Sequence, residues 1–223
     1  MDDYLEKSPN AARMVKAAEY LVSAFCILVT QGQLNVSTSM VDDEGVDLVF
    51  HQRGSTATLA VQVKARMLSN TMAQRGRFQA FVRSQTFTPR NDLALLFVSV
   101  DDRRGQLDQA WLVPSVEFDK RKGGAASQGR YRFVASRKEG SQDQWARFRL
   151  RPLQLPEGIL QHLEDLDQAQ LTAEDRLAGV DALGVDEHVW RHVGPPGTGL
   201  VTGIVDHSRG EDGRPRARLL DLV

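Results

Sequence analysis

Cysteine is nearly absent: Cys26 is the only one in 223 residues, which excludes an internal disulfide and fits a reducing compartment. It lies in an apolar helical stretch with no cationic neighbour in sequence to lower its pKa, so it reads as core and not as a nucleophile. Long apolar runs are missing as well. Leu21 to Val29 is far too short to span a bilayer. Met1-Asp2-Asp3 shows no signal-peptide pattern, so a cytoplasmic protein without a membrane partner is expected. A third absence concerns one sign of charge. From Lys64 to Arg90 there is no acid against six basic residues: Lys64, Arg66, Arg75, Arg77, Arg83 and Arg90. From Asp119 to Arg151 ten basic residues stand with three acids, and from Glu157 to Glu187 nine acids stand with one arginine. The net charge of −1 therefore hides a basic body joined to an acidic tail, and such a body suits a polyanion.

What is present is an ordinary globular composition, 41% apolar and 26% charged, long enough for one domain with a real core, or one domain plus an appendage. The organising stretch runs from Gly45 to Arg66. Val46, Leu48 and Phe50 alternate with Asp47, Val49 and His51, and Leu59, Val61, Val63 and Ala65 alternate with Ala60, Gln62, Lys64 and Arg66. Gly54-Ser55 between the two strands predicts a two-residue type II′ hairpin, glycine taking the positive φ. A turn centred there sets Asp47 opposite Gln62, with Lys64 next on the same face. A carboxylate, an amide oxygen and an ammonium then gather within about 5 to 8 Å. Mg²⁺ takes oxygen ligands, usually one or two from protein side chains. Asp47 and Gln62 offer two oxygens and the main-chain carbonyl of Val63 a third, while Lys64 can orient a water and steady charge on a phosphate. The plain alternative is a hairpin whose Asp, Gln and Lys face water.

A G-x-D strand, Gly45-Val46-Asp47, followed by a Q-x-K strand, Gln62-Val63-Lys64, resembles the PD-(D/E)XK nuclease superfamily of restriction-endonuclease-like fold. The Q-x-K form is similar to that of Mrr-like restriction enzymes and uncharacterised relatives. Val46 stands where the motif has proline, and Gln62 where it usually has a second acid. The neutral amide removes one negative charge, so metal affinity should fall below that of two carboxylates. The resemblance covers residues 11 to 118. It implies an α/β fold, a mixed sheet in an αβββαβ core flanked by helices, with Mg²⁺ or Mn²⁺ as cofactor. The implied site is Asp47, Gln62 and Lys64, with Asp47, Gln62 and the Val63 carbonyl on the metal. A helix before the motif often carries a Glu that reaches the metal, and Glu19 matches by type and order; the alternative is a Glu19 that emerges to solvent or pairs with Lys16.

The remaining elements follow from periodicity. Residues 11–30 predict a helix capped by Asn10, with Met14, Val15, Ala18, Leu21, Val22, Phe25 and Val29 as its apolar arc. Leu34 to Met40 reads as a strand, and Asp42-Asp43-Glu44 as an acidic turn. Residues 70–86 predict a second helix bearing Arg75, Arg77 and Arg83, which with Arg66 are expected on the phosphate backbone. Leu93 to Val100 reads as a strand buried on both faces. Ala110 to Ser115 reads as a strand ended by Pro114, and Trp111-Leu112-Val113-Pro114-Ser115 also resembles uncharacterised superfamily members. Arg130 to Ser136 and Ala146 to Leu150 predict a closing hairpin whose aromatics pack on the sheet edge. Pro152 to Pro156 reads as a linker between a nuclease-like domain, 1–151, and an acidic extension, 152–223. Helices are expected there at 157–170 and 172–183. His188 and His192 are spaced for zinc but lack a third ligand nearby. Gly194 to Gly199 looks like the start of a P-loop, yet Leu200 and Val201 stand where Lys and Ser/Thr are required.

Together these readings lead to a Mg²⁺-dependent endonuclease acting on DNA in defence or repair, as a homodimer if both strands are cut, the last step by analogy of fold. The alternatives are a non-cleaving member of the fold that binds nucleic acid or scaffolds, and a protein-interaction module whose acidic C-terminal part docks a partner.

Overall fold

Helix α1 (Pro9–Val29) places Ala18, Val22 and Cys26, each four residues apart, on one line no more than 2% exposed. It stops where Gln31 (φ 53°) and Gly32 (φ 80°) turn left-handed and the Gly32 N–H donates to the Ile27 carbonyl at 2.9 Å. The computed structural model describes residues 9–38, 45–124, 129–176, 183–189, 200–206 and 218–222. In chain order α1 is followed by β1 (Leu34–Thr38), β2 (Leu48–Gln52), β3 (Thr58–Met67), α2 (Thr71–Gln74), β4 (Arg77–Arg83), β5 (Leu93–Asp101) and β6 (Gln106–Pro114). Then come α3 (Ser115–Arg121), β7 (Arg130–Ser136), β8 (Arg149–Leu150) and α4 (Leu155–Arg176). Among the described residues no helix is long and apolar enough to cross a membrane.

Six strands form one mixed sheet in the order β1-β2-β3-β5-β6-β8, with β3 and β5 parallel and every other pair antiparallel. This is the expected α/β architecture of a mixed sheet flanked by helices. β5 lies at the middle, and Leu93 to Val100 are all buried, as a strand covered on both faces must be. On one face Val61, Val63, Leu96 and Val98 pack with α1 and with Leu155, Ile159 and Leu163 of α4. On the other, Leu95, Phe97, Trp111 and Val113 meet Phe78, Phe118, Phe133 and Trp145. Phe97 stacks on Phe133 with ring centroids 3.6 Å apart, so these aromatics fill the core as expected.

Several local expectations are corrected. Residues 70–86 are not a helix. Gly76 (φ 73°) ends α2 after one turn, and beyond it Phe78, Ala80 and Val82 are buried at every second position, which only a strand can do. The αβββαβ order thus keeps only a four-residue second helix. β4 pairs antiparallel with β7, and β8 pairs with β6, so 130–136 and 146–150 do not form the expected hairpin. Residues 146–148 are instead a 3-10 turn. The β2/β3 turn is centred on Arg53-Gly54. The Ser55 N–H donates to the Gln52 carbonyl at 3.2 Å and Gly54 has φ 86°, a type II arrangement and not type II′. The register is nonetheless the expected one, Leu48 opposite Val61 and Phe50 opposite Leu59.

The supposed linker at 152–156 is a 3-10 turn leading into α4, whose Leu155, Ile159 and Leu163 are fully buried in the first core. The chain accordingly divides into compact units at 1–167 and 168–223. α4 continues through Arg176, so no separate helix begins at Thr172. In the second unit β9 (Leu183–Val189), β10 (Leu200–Asp206) and β11 (Arg218–Leu222) form an antiparallel sheet in the order β11-β10-β9. His188 is therefore on a strand and not on a helical turn, while His192 and Gly194 to Gly199 lie outside the described residues.

Candidate functional site

β3 is ten residues long and β2 five, so β3 outruns its partner. Asp47 sits at that point of divergence. Its N–H donates to the Val61 carbonyl at 3.0 Å, carrying the ladder one step past the Leu48/Val61 pair and setting Asp47 across from Gln62. Its carboxylate reaches the next backbone position: Oδ2 accepts from the Val63 N–H at 2.6 Å. That bond fixes the carboxylate against β3, where a charge-assisted contact is about twice as strong as a neutral one. In a strand the N–H and C=O of one residue leave by the same edge, so the Val63 carbonyl is on Asp47's side.

Gln62 is 7% exposed, on the sheet face opposite Val61 and Val63. Its position depends on Gly45, which holds φ 71°, and a Cβ there would overlap Gln62 Nε2 and stand 3.5 Å from Gln62 Cδ. Gly45 is thus required twice, for its left-handed backbone and for the space the amide fills. With Nε2 against Gly45, Oε1 is the edge of the amide turned away from it. Lys64 follows on the same face and is half-buried. Asp47, Gln62, Val63 and Lys64 are thereby collected within one segment of the sheet. Asp42, Asp43 and Glu44 lie outside the described residues.

Glu19 is held on α1, 3% exposed beside Ala18, and its Oε2 pairs with Lys16 Nζ at 2.5 Å. The Glu19 hydrogen bond raises the Lys16 pKa against the opposing effect of burial, and the Asp47 carboxylate adds to the rise. Lys16 therefore stands within electrostatic reach of both acids. In the sequence Lys16 figured only as an alternative partner for Glu19; the i, i+3 spacing was its signal.

The arginines separate into two kinds. Arg66 donates from Nε to the Gln79 carbonyl at 2.8 Å and from Nη1 to the Ala65 carbonyl at 3.1 Å, and burial lowers its pKa. It ties β3 to β4 and has few donors left for phosphate. Arg75 caps the C-terminus of α2 and is exposed. Arg77 and Arg83 are exposed on β4, where Arg130 and Arg132 of β7 join them through the pairing of the two strands. The last two were missed because nothing local in the sequence links residues this far apart.

No family model and no curated protein matches the chain. Among solved structures it is similar to a bacterial homing endonuclease, I-Ssp6803I, at 16% identity and a TM-score of 0.42, over 75% of this chain and 99% of that one. That likeness is distant, and the chemistry has to be read from the side chains. Among the described residues no three of His, Cys, Asp and Glu cluster as a metal site would need. A cation here would depend on one carboxylate, one amide oxygen and main-chain carbonyl oxygen. Such a donor set is hard and all-oxygen, suited to Mg²⁺ or Mn²⁺ and not to zinc.

Proposed function

We propose that this protein is a metal-dependent nuclease that hydrolyses DNA phosphodiester bonds, with Asp47, Gln62 and Lys64 at its centre. The observation carrying this reading is the convergence of Asp47, Gln62 and Val63 where β3 outruns β2, with the Asp47 carboxylate fixed by the Val63 N–H. Mg²⁺ would be held by the Asp47 carboxylate, the Gln62 amide oxygen and the Val63 carbonyl, and when bound it supplies positive charge to a phosphate and acidity to a water. Lys64 holds its ammonium beside that position, where it orients the attacking water and balances negative charge growing on the phosphoryl oxygens. Gly45 keeps Gln62 in place. Lys16 keeps the Glu19 carboxylate paired, so Glu19 joins the metal only by exchanging that partner.

The test is cleavage of plasmid and linear DNA with Mg²⁺ or Mn²⁺ by the wild type, Asp47→Ala and Lys64→Ala. Nicking by the wild type and its loss in both variants is expected; equal cleavage by all three would remove the site from the reaction. A second reading, a nucleic-acid-binding protein that does not cut, is favoured by the neutral Gln62 and by the pairing of Glu19 with Lys16. It predicts tight, salt-sensitive DNA binding with no cleavage, and gain of cleavage in Gln62→Glu.

A further inference from the structure

As a strand, β4 aligns what a helix would have scattered. Arg77, Gln79, Phe81 and Arg83 alternate with the buried Phe78, Ala80 and Val82 and so share one outward face. Pairing with β7 places Arg132 opposite Phe81 and Arg130 opposite Arg83 on that same face, and Ser136 and Val134 opposite Arg77 and Gln79. The face therefore carries four guanidinium groups, an amide and a phenyl ring that is 36% exposed, and no acid. Arg132 Nη2 lies 3.4 Å from Gln79 Oε1, a weak bond that leaves most of both groups available. Elsewhere on the first unit Arg121 and Arg147 pair with Glu117, and Arg137 with Asp108. Among the described residues, none of Arg77, Arg83, Arg130 and Arg132 is in an ion pair. A concentration of charge left unneutralised within the fold is complementary to a polyanion.

The surface also connects to the site. A cleft of about 200 Å³ lined by Arg66, Asn70, Arg77 and Phe81 joins the ribbon to β3. Arg66 shares its β3 face with Lys64 and Gln62, two and four residues earlier.

We infer that the β4/β7 ribbon is the duplex-reading element of this protein, entering the major groove of B-form DNA with its arginine-bearing face inward. The inference rests on the nuclease reading for its choice of nucleic acid as ligand. The major groove, about 12 Å wide, admits a two-stranded ribbon. Seven-residue strands are about 23 Å long at about 3.3 Å per residue. Arg77, Arg83 and Arg130 at the ends of the ribbon take phosphates. Gln79, Phe81 and Arg132 near its middle are of the types that read adenine, the thymine methyl and guanine respectively. The major groove of A-form RNA is too narrow and deep for side chains to read, so the ligand is double-stranded DNA.

The experiment is anisotropy titration of the full chain with labelled duplex DNA in EDTA, from about 50 to 200 mM salt. The triple variant Arg83→Ala/Arg130→Ala/Arg132→Ala should bind at least tenfold more weakly. It should lower the slope of log K against log salt by about 2 to 3, near 0.9 per lost phosphate contact. Arg103→Ala/Arg104→Ala, which removes two exposed charges at the β5/β6 turn, should change affinity by less than about twofold if the loss is local to the ribbon. Circular dichroism of each variant verifies that it is folded. Unchanged binding by the folded triple variant overturns the ribbon inference while leaving the nuclease reading intact, and equal competition by duplex RNA overturns the groove assignment. Asp47→Ala separates the two claims: it should keep wild-type DNA binding and lose cleavage. Wild-type cleavage by Asp47→Ala would sink the nuclease site but not the ribbon.

Discussion

Gly45→Ala perturbs the candidate site without touching any group that would meet substrate. Two costs follow from the geometry. A non-glycine residue at φ 71° pays about 1 to 2 kcal/mol for left-handed backbone, whatever lies nearby. The added Cβ also meets Gln62 Nε2, the far end of a flexible side chain, so Gln62 yields by leaving its rotamer at about 0.5 to 1.5 kcal/mol. The backbone cost dominates stability. The Gln62 shift dominates function, because displacing a site group by an ångström can cost about a hundredfold in rate. A double-mutant cycle with Gln62→Ala, followed by urea unfolding, separates them. With the amide gone the second cost vanishes, so the double variant should be about 0.5 to 1.5 kcal/mol more stable than the sum of the single changes predicts. Additivity within about 0.3 kcal/mol would show that Gln62 is not braced by Gly45, and the account of how the amide is held would be wrong.

Other outcomes follow from single side chains. Burial pushes the Cys26 thiol from 9.0 up to about 12, so the native protein should resist iodoacetamide at about pH 8 and react only on unfolding. Above pH 9.0 the unfolded thiol loses a proton that the native thiol keeps until about 12. Stability should therefore fall as pH rises through that window, by at most about 1.4 kcal/mol per unit, and Cys26→Ala should remove this component of the alkaline slope. The fully buried Ser115 donates its hydroxyl to the Arg90 carbonyl at 2.6 Å and accepts from the Arg90 N–H at 2.8 Å. Ser115→Ala should cost about 1 to 3 kcal/mol in thermal unfolding, and an unchanged melting temperature would mean the segment before β5 is held by something else. Arg66→Lys keeps the charge but not the fork that ties β3 to β4. It should lower stability by about 1 to 2 kcal/mol while leaving the salt slope of DNA binding unchanged, whereas a shallower slope would return Arg66 to the phosphate contacts.

How far the sequence could be read depended on how local the signal was. The β2/β3 register was legible because alternation in both strands and a nearby turn leave one pairing that buries Leu48, Phe50, Leu59 and Val61 together. The double burial of β5 was legible from an unbroken apolar run. Residues 70–86 were not, because Met72, Phe78, Phe81 and Val82 also satisfy helical spacing, and a window that short cannot separate the two periods. Gly76 was the discriminating residue: a left-handed glycine there stops the helix, and strand alternation starts at the next position. Likewise nothing near Arg130 announces β4 as its partner, since that pairing closes a long loop.

These misses are related. The same seven residues, Arg77 to Arg83, would spread their charges around a helix and so blur any one-sided surface. As a strand they place every arginine on one face, and the pairing with β7 doubles the number. Only that local change of period, from 3.6 to 2, makes an acid-free basic segment into a directional surface. The strength of the case for DNA therefore rests on an element whose type the composition of the segment did not reveal. The polarity of the ribbon, apolar toward β5 and β6 and cationic outward, also explains why Phe81 alone among its aromatics is exposed. Its position follows the outward parity of Arg77 and Arg83, not the inward parity of Phe78. An apolar ring kept in the middle of a cationic face adds little to phosphate affinity, and it is the side chain there best suited to meet a base.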